Sequence, residues 1–174
     1  MASMTKTAAD TGPAGLPPDT HVHSQWSWGA GFDAISGRFR DQAPDQVLRG
    51  YLTETAALIS QFDAFGVLAH IDYPLRFWPL DATPYDPFEF QDEYRHVLQT
   101  LASAGKALEL NTKVPLHPQI LTWWRQEGGQ AITFASDAHD PAALAAGFAD
   151  AAHLAEAAGF AAGLDPCALW GRKK

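Results

Sequence analysis

The sequence predicts one α/β domain built on a parallel sheet. Three short apolar segments, each ending in polar residues, alternate along the chain with amphipathic helices. Strands that alternate with helices in this way form parallel sheets with right-handed crossovers, and their functional groups gather at the carboxyl ends of the strands. At 174 residues, the chain is long enough for one domain with a sizeable core and too short for two of ordinary size.

Composition and charge limit the classes of function. A content of 47% hydrophobic and 18% charged residues is that of a soluble globular protein. The formal net charge of -8 argues against nucleic acid as a partner, because nucleic-acid surfaces need clustered Lys and Arg. An acidic protein can still bind a small phosphate ester through a metal and one well-placed arginine. The single cysteine, Cys167, excludes an intrachain disulfide and a cysteine-based zinc site, and fits a cytoplasmic location.

The first element after the N-terminus is a candidate strand. Residues 1–19 are rich in Ala, Thr, Gly and Pro and contain no apolar segment suited to a signal peptide or membrane span, so we expect a flexible leader and no membrane association. The sequence HVHSQWSW over residues 21–28 alternates polar and bulky side chains, which predicts an extended segment with His21 and His23 on one face. Residues 29–49 are predicted to form a loop with at most a short helix.

Four helices and three strands follow in alternation. Apolar residues recur at three- and four-residue spacings over 45–65, which predicts an amphipathic helix. Residues 66–72 are a buried strand that ends in His70 and Asp72, and prolines make 73–79 a loop. The later elements are a helix over 86–103, a strand over 106–111, a helix over 117–126, a strand over 131–139 and a helix over 141–158. Among them, Trp123 and Trp124 are predicted to pack, and His96, His117 and His153 are assigned no chemistry.

Polar pairs two residues apart mark four strand ends: His21 and His23, His70 and Asp72, Glu109 and Asn111, Asp137 and His139. A spacing of two in a strand points both side chains to one face, so the pairs can converge. Imidazole and carboxylate together suit Zn, Mn or Fe, which predicts a divalent-metal site. The alternative is that each histidine is a hydrogen-bonded core or rim residue.

Arg76, in the loop after the first of the three strands, is the candidate for holding an anionic group, because guanidinium binds phosphate bidentately. The alternative for Arg76 is a surface salt bridge. The sequence has no Gly-rich phosphate loop before a helix, no GxSxG elbow and no cysteine nucleophile with a partner base. Covalent catalysis is therefore disfavoured.

The segments DTHVHSQWSW, VLAHIDYPLRFWP, ALELNT and ITFASDAHDPAAL, in this order, resemble the polymerase and histidinol phosphatase (PHP) superfamily, in particular its histidinol-phosphatase-like branch. The resemblance covers most of the chain from Asp19 onward. It implies a distorted seven-stranded α/β barrel with up to three Zn, Mn or Fe ions. It also implies hydrolysis of small phosphate monoesters such as L-histidinol phosphate, and a place in histidine biosynthesis.

The resemblance also assigns residues by position. His21 and His23 match the opening HxH ligand pair, His70 matches the ligand histidine of a later strand, and Asp137 and His139 match the closing DxH pair. The family's middle strand motifs are absent, which implies a loss of three βα units, roughly 100 residues at the usual size of such units. Residues 20–174 are thus expected to form a shortened, incomplete barrel, and an opened barrel favours homo-oligomerisation.

Three functional hypotheses follow. The first is a metal-dependent phosphoesterase in which metal-activated water attacks a small phosphorylated substrate, Asp137 and His139 are catalytic, and Arg76 binds substrate. The alternative is a catalytically impaired remnant that acts as a binding or oligomerisation module. A metal-dependent hydrolase of carbon–nitrogen bonds is a third option, and the form and order of the later motifs count against it.

Overall fold

A five-stranded sheet organises residues 32–173, the part of the chain that this computed structural model describes. Its strands are β1 Val67–Leu68, β2 Ala107–Asn111, β3 Ala131–Ala135, β4 Phe160–Ala161 and β5 Trp170–Arg172. Its α-helices are α1 Phe32–Arg38, α2 Pro44–Gln61, α3 Gln91–Ser103, α4 Pro118–Gln126 and α5 Phe148–Ala157. The predicted leader and the predicted strand at 21–28 lie outside the described residues.

The sheet is mixed, which corrects the predicted parallel sheet. Its order is β1-β2-β3-β5-β4. The first three strands are parallel, with Leu108 opposite Ile132 and Asn111 opposite Ala135, but β5 runs antiparallel to both β3 and β4. The C-terminal strands contain only two or three residues each. Segments so short carry no readable period, and the sequence therefore did not predict them.

Helices α2 and α3 pack against each other beside the parallel part of the sheet. The buried face of α2 includes Leu48, Leu52 and Ile59, which recur at three- and four-residue steps. The facing residues of α3 include Tyr94 and Leu98, both completely buried. Each such aliphatic side chain contributes about 1.5–3 kcal/mol on burial. The predicted helices at 45–65 and 86–103 are thus confirmed in type, and both are shorter than predicted.

Helix α4 begins at a histidine cap and confirms the predicted packing of its two tryptophans. The His117 ring accepts a hydrogen bond from the Gln119 backbone amide at 3.2 Å and so caps the helix. Trp123 and Trp124 are buried in the core, at 1% and 0% exposure. No helix in the described part of the chain is long and apolar enough to cross a bilayer.

Residues with left-handed backbones shorten two predicted strands and delay the start of one predicted helix. The predicted strand at 66–72 is reduced to Val67–Leu68, and His70 just beyond it has a φ of 55°. The predicted strand at 131–139 ends at Ala135, before Asp137 with a φ of 50°. Positive φ is incompatible with an extended strand, so the chain turns at both positions. The predicted helix over 141–158 begins only at Phe148, after a short 3₁₀ turn at Pro141–Ala143 and left-handed Gly147.

Candidate active site

The carboxyl ends of β1, β2 and β3 meet at one edge of the sheet. Because the three strands are parallel, the residues after β1 and β3 lie beside the last residues of β2. This arrangement brings His70, Asp137 and His139 to the same edge as Asn111. His70 and Asp137 both have left-handed backbones, a conformation that costs a residue other than glycine about 1–3 kcal/mol and is common at functional sites.

Arg76 joins two of the predicted metal ligands. Its Nη2 atom lies 2.5 Å from Asp137 Oδ2 and 3.2 Å from His70 Nδ1. The Arg76 side chain is 12% exposed and that of Asp137 is 0% exposed, so this is a buried ion pair rather than a surface one. The guanidinium also lies over the Tyr73 ring, 5.2 Å from its centroid. The short 3₁₀ helix Tyr73–Phe77 carries both residues and fixes their separation.

The ion pair determines the charge of Asp137. Burial alone would raise the pKa of this carboxyl, but the hydrogen bond and positive charge of Arg76 outweigh burial and lower the pKa below its ordinary value. Asp137 is therefore a carboxylate across the neutral range. A carboxylate so deeply buried requires a cation beside it.

Asn111 fixes the proton arrangement around His70. The Asn111 Oδ1 atom accepts hydrogen bonds from the backbone amides of Lys113 at 3.0 Å and Val114 at 3.3 Å. Its Nδ2 atom therefore faces Glu109 Oε1 at 3.2 Å and His70 Nδ1 at 3.4 Å. Both Asn111 Nδ2 and Arg76 Nη2 can only donate, so His70 Nδ1 is the accepting nitrogen and Nε2 carries the proton.

His139 has a carbonyl acceptor and an ammonium donor beside the same ring nitrogen. Its Nδ1 atom lies 2.8 Å from the Asp137 carbonyl oxygen, which can only accept. A carbonyl is a common partner of the second ring nitrogen in metal-bound histidines. Lys113 Nζ lies 2.9 Å from the same ring nitrogen and 3.4 Å from the same carbonyl, which adds a second positive charge to the site.

Asp72 lies behind this cluster and is almost completely buried. Burial raises its pKa to about 6, an effect that neighbouring Glu109 reinforces and the charge of Arg76 opposes. On the same side of the site, the Tyr51 hydroxyl donates a 2.6 Å hydrogen bond to the His70 carbonyl oxygen. This hydrogen bond therefore connects helix α2 to the main-chain turn at His70.

The structure thus brings together four of the predicted site residues: His70, Arg76, Asp137 and His139. His21 and His23 lie outside the described residues. Sequence reasoning missed Lys113, although it continues the two-residue spacing of Glu109 and Asn111. It also noted Asn111 without assigning it a role.

The donor types at this edge suit a divalent ion, since imidazole and carboxylate are the usual ligands of zinc. Among residues 32–173, however, no group of three or more His, Cys, Asp or Glu side chains is gathered closely enough to hold an ion. The described residues offer donor atoms of the right chemistry for a metal. In this structure, however, the Arg76 guanidinium contacts the donor atoms of both His70 and Asp137.

Comparison with known proteins identifies relatives of one kind. No protein-family profile matches the chain. The histidinol-phosphatase of Lactococcus lactis subsp. lactis is 26% identical over 102 residues, which are 55% of this chain and 38% of that protein. Probable histidinol-phosphatases of Thermotoga maritima and Deinococcus radiodurans are 32% and 30% identical over 104 and 139 residues. The second of these alignments covers 75% of this chain and 50% of the relative.

A solved structure has the same fold. The histidinol phosphate phosphatase of Lactococcus lactis, crystallised with zinc, L-histidinol and phosphate, superposes with a TM-score of 0.61 at 23% sequence identity. The match covers 74% of this chain and 52% of that one. The chain is therefore related to the histidinol-phosphatases of the PHP superfamily, and it aligns with half or less of the length of the curated relatives.

Proposed function

Starting from this relationship, we propose that the chain is a metal-dependent phosphomonoesterase of the histidinol-phosphatase type. In this proposal residues 20–174 form a shortened and distorted PHP barrel that lacks the middle βα units, and residues 1–19 are a leader. The observation that carries the proposal is the convergence of His70, Arg76, Asp137 and His139 at the carboxyl edge of the sheet. The substrate is a small phosphate ester such as L-histidinol phosphate, used in the cytoplasm in histidine biosynthesis.

Five residues would hold the divalent ion, which is Zn, Mn or Fe: His21, His23, His70, Asp137 and His139. When bound, such an ion lowers the pKa of water and neutralises negative charge on a phosphoryl group. The carboxylate state of Asp137 and the contact of His139 Nδ1 with a carbonyl oxygen suit both residues to this role.

The chain's own groups supply the remaining chemistry. Arg76 and Lys113 place two positive charges beside His139 and Asp137, where they can bind phosphoryl oxygens and stabilise the charge that develops during transfer. Asp137 and His139 are proposed to relay a proton from the attacking water to the leaving alkoxide. Asp137 holds the imidazole through its carbonyl oxygen and stabilises it when protonated.

A second candidate function is a catalytically impaired PHP remnant that acts as a binding or oligomerisation module. Two observations favour it. The chain aligns with only 38% to 50% of the length of its curated relatives, and Arg76 holds two predicted ligands in an ion-paired arrangement. An incomplete barrel would expose a sheet edge that a second copy of the chain could cover.

A phosphatase assay distinguishes the two functions. Purified chain is incubated with L-histidinol phosphate or p-nitrophenyl phosphate, with and without Zn²⁺ or Mn²⁺, and released phosphate is measured against a metal-only blank. The first proposal expects metal-dependent turnover that falls by about 10²-fold or more in His139→Ala, the usual effect of removing a general acid–base. Exposed His153 on α5 provides the control, because His153→Ala should keep full activity. Turnover no higher than the blank would instead support the remnant.

A further inference from the structure

Arg76 stands at the place where two predicted metal ligands face each other. One atom of its guanidinium, Nη2, contacts His70 Nδ1 and Asp137 Oδ2 together. We infer that Arg76 and a divalent cation bind these two atoms alternatively, so that the arginine side chain is a built-in competitor of the metal. This inference rests on the proposed metal dependence but not on hydrolysis.

The arginine-bound and metal-bound states exclude each other, because both use His70 Nδ1 and Asp137 Oδ2. Asn111 Nδ2 and Arg76 Nη2 both donate towards His70 Nδ1, so the lone pair of that nitrogen is engaged by hydrogen bonds. A metal uses the same lone pair, and it cannot share that lone pair with a donor. The second contact adds charge repulsion, because an ion on Asp137 Oδ2 would lie within a few ångström of the guanidinium.

Because the Asp137 carboxylate is buried, we expect one cation, either Arg76 or the metal, to be paired with it at all times. The Asp137 side chain is 0% exposed, and a buried carboxylate without a counter-charge is strongly unfavourable. Arg76 supplies that charge when no metal is bound, and the metal supplies it when bound. Only molecules in which Arg76 has released the ligands can bind metal, so the apparent affinity for metal equals the intrinsic affinity multiplied by the fraction of released molecules.

The position of Arg76 allows the exchange. It lies on the short 3₁₀ helix Tyr73–Phe77 rather than on a sheet strand, and its side chain keeps 12% exposure. The guanidinium can therefore leave Asp137 without breaking any pairing in the sheet. Once displaced, it becomes available to an anionic ligand such as a phosphoryl group.

Calorimetric titration with Zn²⁺ alone tests the competition. Arg76→Met removes the competing charge while keeping an unbranched side chain, and its zinc dissociation constant is expected to be lower than that of the parent by about tenfold or more, within the usual range of coupling between two ligands. Arg76→Lys retains a charge but has one compact donor group, so it should fall between the two. Arg38→Met, which removes an exposed ion pair with Glu54, should bind zinc like the parent.

Two results would overturn the inference. Equal or weaker zinc binding by a folded Arg76→Met protein would mean that Arg76 positions the ligands instead of competing for them. Absence of zinc binding in every protein would defeat the competition together with the proposed function, whereas zinc binding without phosphatase activity would defeat only the latter. If Arg76→Met does not fold, NMR of the parent's guanidinium protons decides. Their slow-exchange signal should disappear on adding zinc, and its persistence would contradict the exchange.

Discussion

Asn111 contacts both His70 and the turn that follows β2. Its Nδ2 atom lies 3.4 Å from His70 Nδ1, and its Oδ1 atom accepts a hydrogen bond from the Lys113 backbone amide. One planar amide thereby links the residue after β1 to the turn after β2. Neither connection is visible from the spacing of residues along the chain. We therefore expect that replacing the amide of Asn111 by a carboxylate, a change of one atom, disturbs the site.

The first prediction concerns Asn111→Asp. The carboxylate keeps the acceptor for the Lys113 amide but replaces the donor that faces Glu109 Oε1 at 3.2 Å. Two buried carboxylates then oppose each other, and the free energy of unfolding should fall by about 1–3 kcal/mol. Urea denaturation at neutral pH measures this change. Gln42→Glu adds the same charge at an exposed position and should change stability by less than about 0.5 kcal/mol; a similar loss in both variants would count against the assigned Asn111 orientation.

The second prediction concerns alkaline pH. The Tyr85 hydroxyl donates to the Tyr94 hydroxyl at 3.0 Å, and burial raises the pKa of both phenols above the ordinary value of 10.0. Because the folded state binds these protons more tightly than the unfolded state, the contribution of the two phenols to stability is constant below about pH 10 and falls as pH rises further. Absorbance at 295 nm and circular dichroism, followed together, should show that these phenols ionise only as the helices unfold. Reversible ionisation of all four tyrosines near pH 10 in a folded protein would contradict this expectation.

A pair of glycines gives the third prediction. A Cβ atom at Gly129 would lie 2.1 Å from the ring of Trp124, which is completely buried and donates to the Ala131 carbonyl oxygen at 3.2 Å. Gly129→Ala should therefore lower the free energy of unfolding by about 1–3 kcal/mol, as overpacking usually does. At Gly50, inside α2, nothing lies within 4 Å of the added atom, and Gly50→Ala should raise it by about 0.5–1 kcal/mol. Urea denaturation of both variants checks the opposite signs.

The fourth prediction depends on the proposed activity. Lys113 lies beside His139 and is proposed to bind phosphoryl oxygens, so Lys113→Met should lower kcat/KM for a phosphate ester by about tenfold, the order of one charged hydrogen bond. Lys113→Arg should restore most of that loss. Lys106→Met removes a lysine that pairs with Asp63 instead and should leave kcat/KM unchanged. An equal loss in the Met and Arg variants of Lys113 would indicate a structural role.

Periodic patterns predicted the parallel half of the fold. The helices α2, α3 and α4 and the strands β1, β2 and β3 were each predicted from apolar spacing, since long amphipathic segments and buried strands leave a readable signal. The β4–β5 hairpin left none. The break before α5 was also missed, because it depends on left-handed backbones at Ala145 and Gly147, and composition alone does not reveal an alanine in that conformation.

Sequence patterns named four residues that the structure brings together, but not the contacts that join them. Two-residue spacing placed His70, Asp137 and His139 at strand ends, and the loop position suggested an anion-binding role for Arg76. The bridge from Arg76 to Asp137 and the contact of Asn111 with His70 join residues more than 40 positions apart. Such contacts depend on the folded path of the chain, and a local pattern does not encode them.

The left-handed backbones at His70 and Asp137 have a consequence for protein engineering. A stability screen on this scaffold would favour Gly or Asn at both positions, since those residues adopt positive φ at little cost. The variants most rewarded for heat resistance would then be the ones that lose an imidazole and a carboxylate from the sheet edge. Selection for robustness alone should therefore erase this site first, and a thermostable version of the chain has to be sought at other positions.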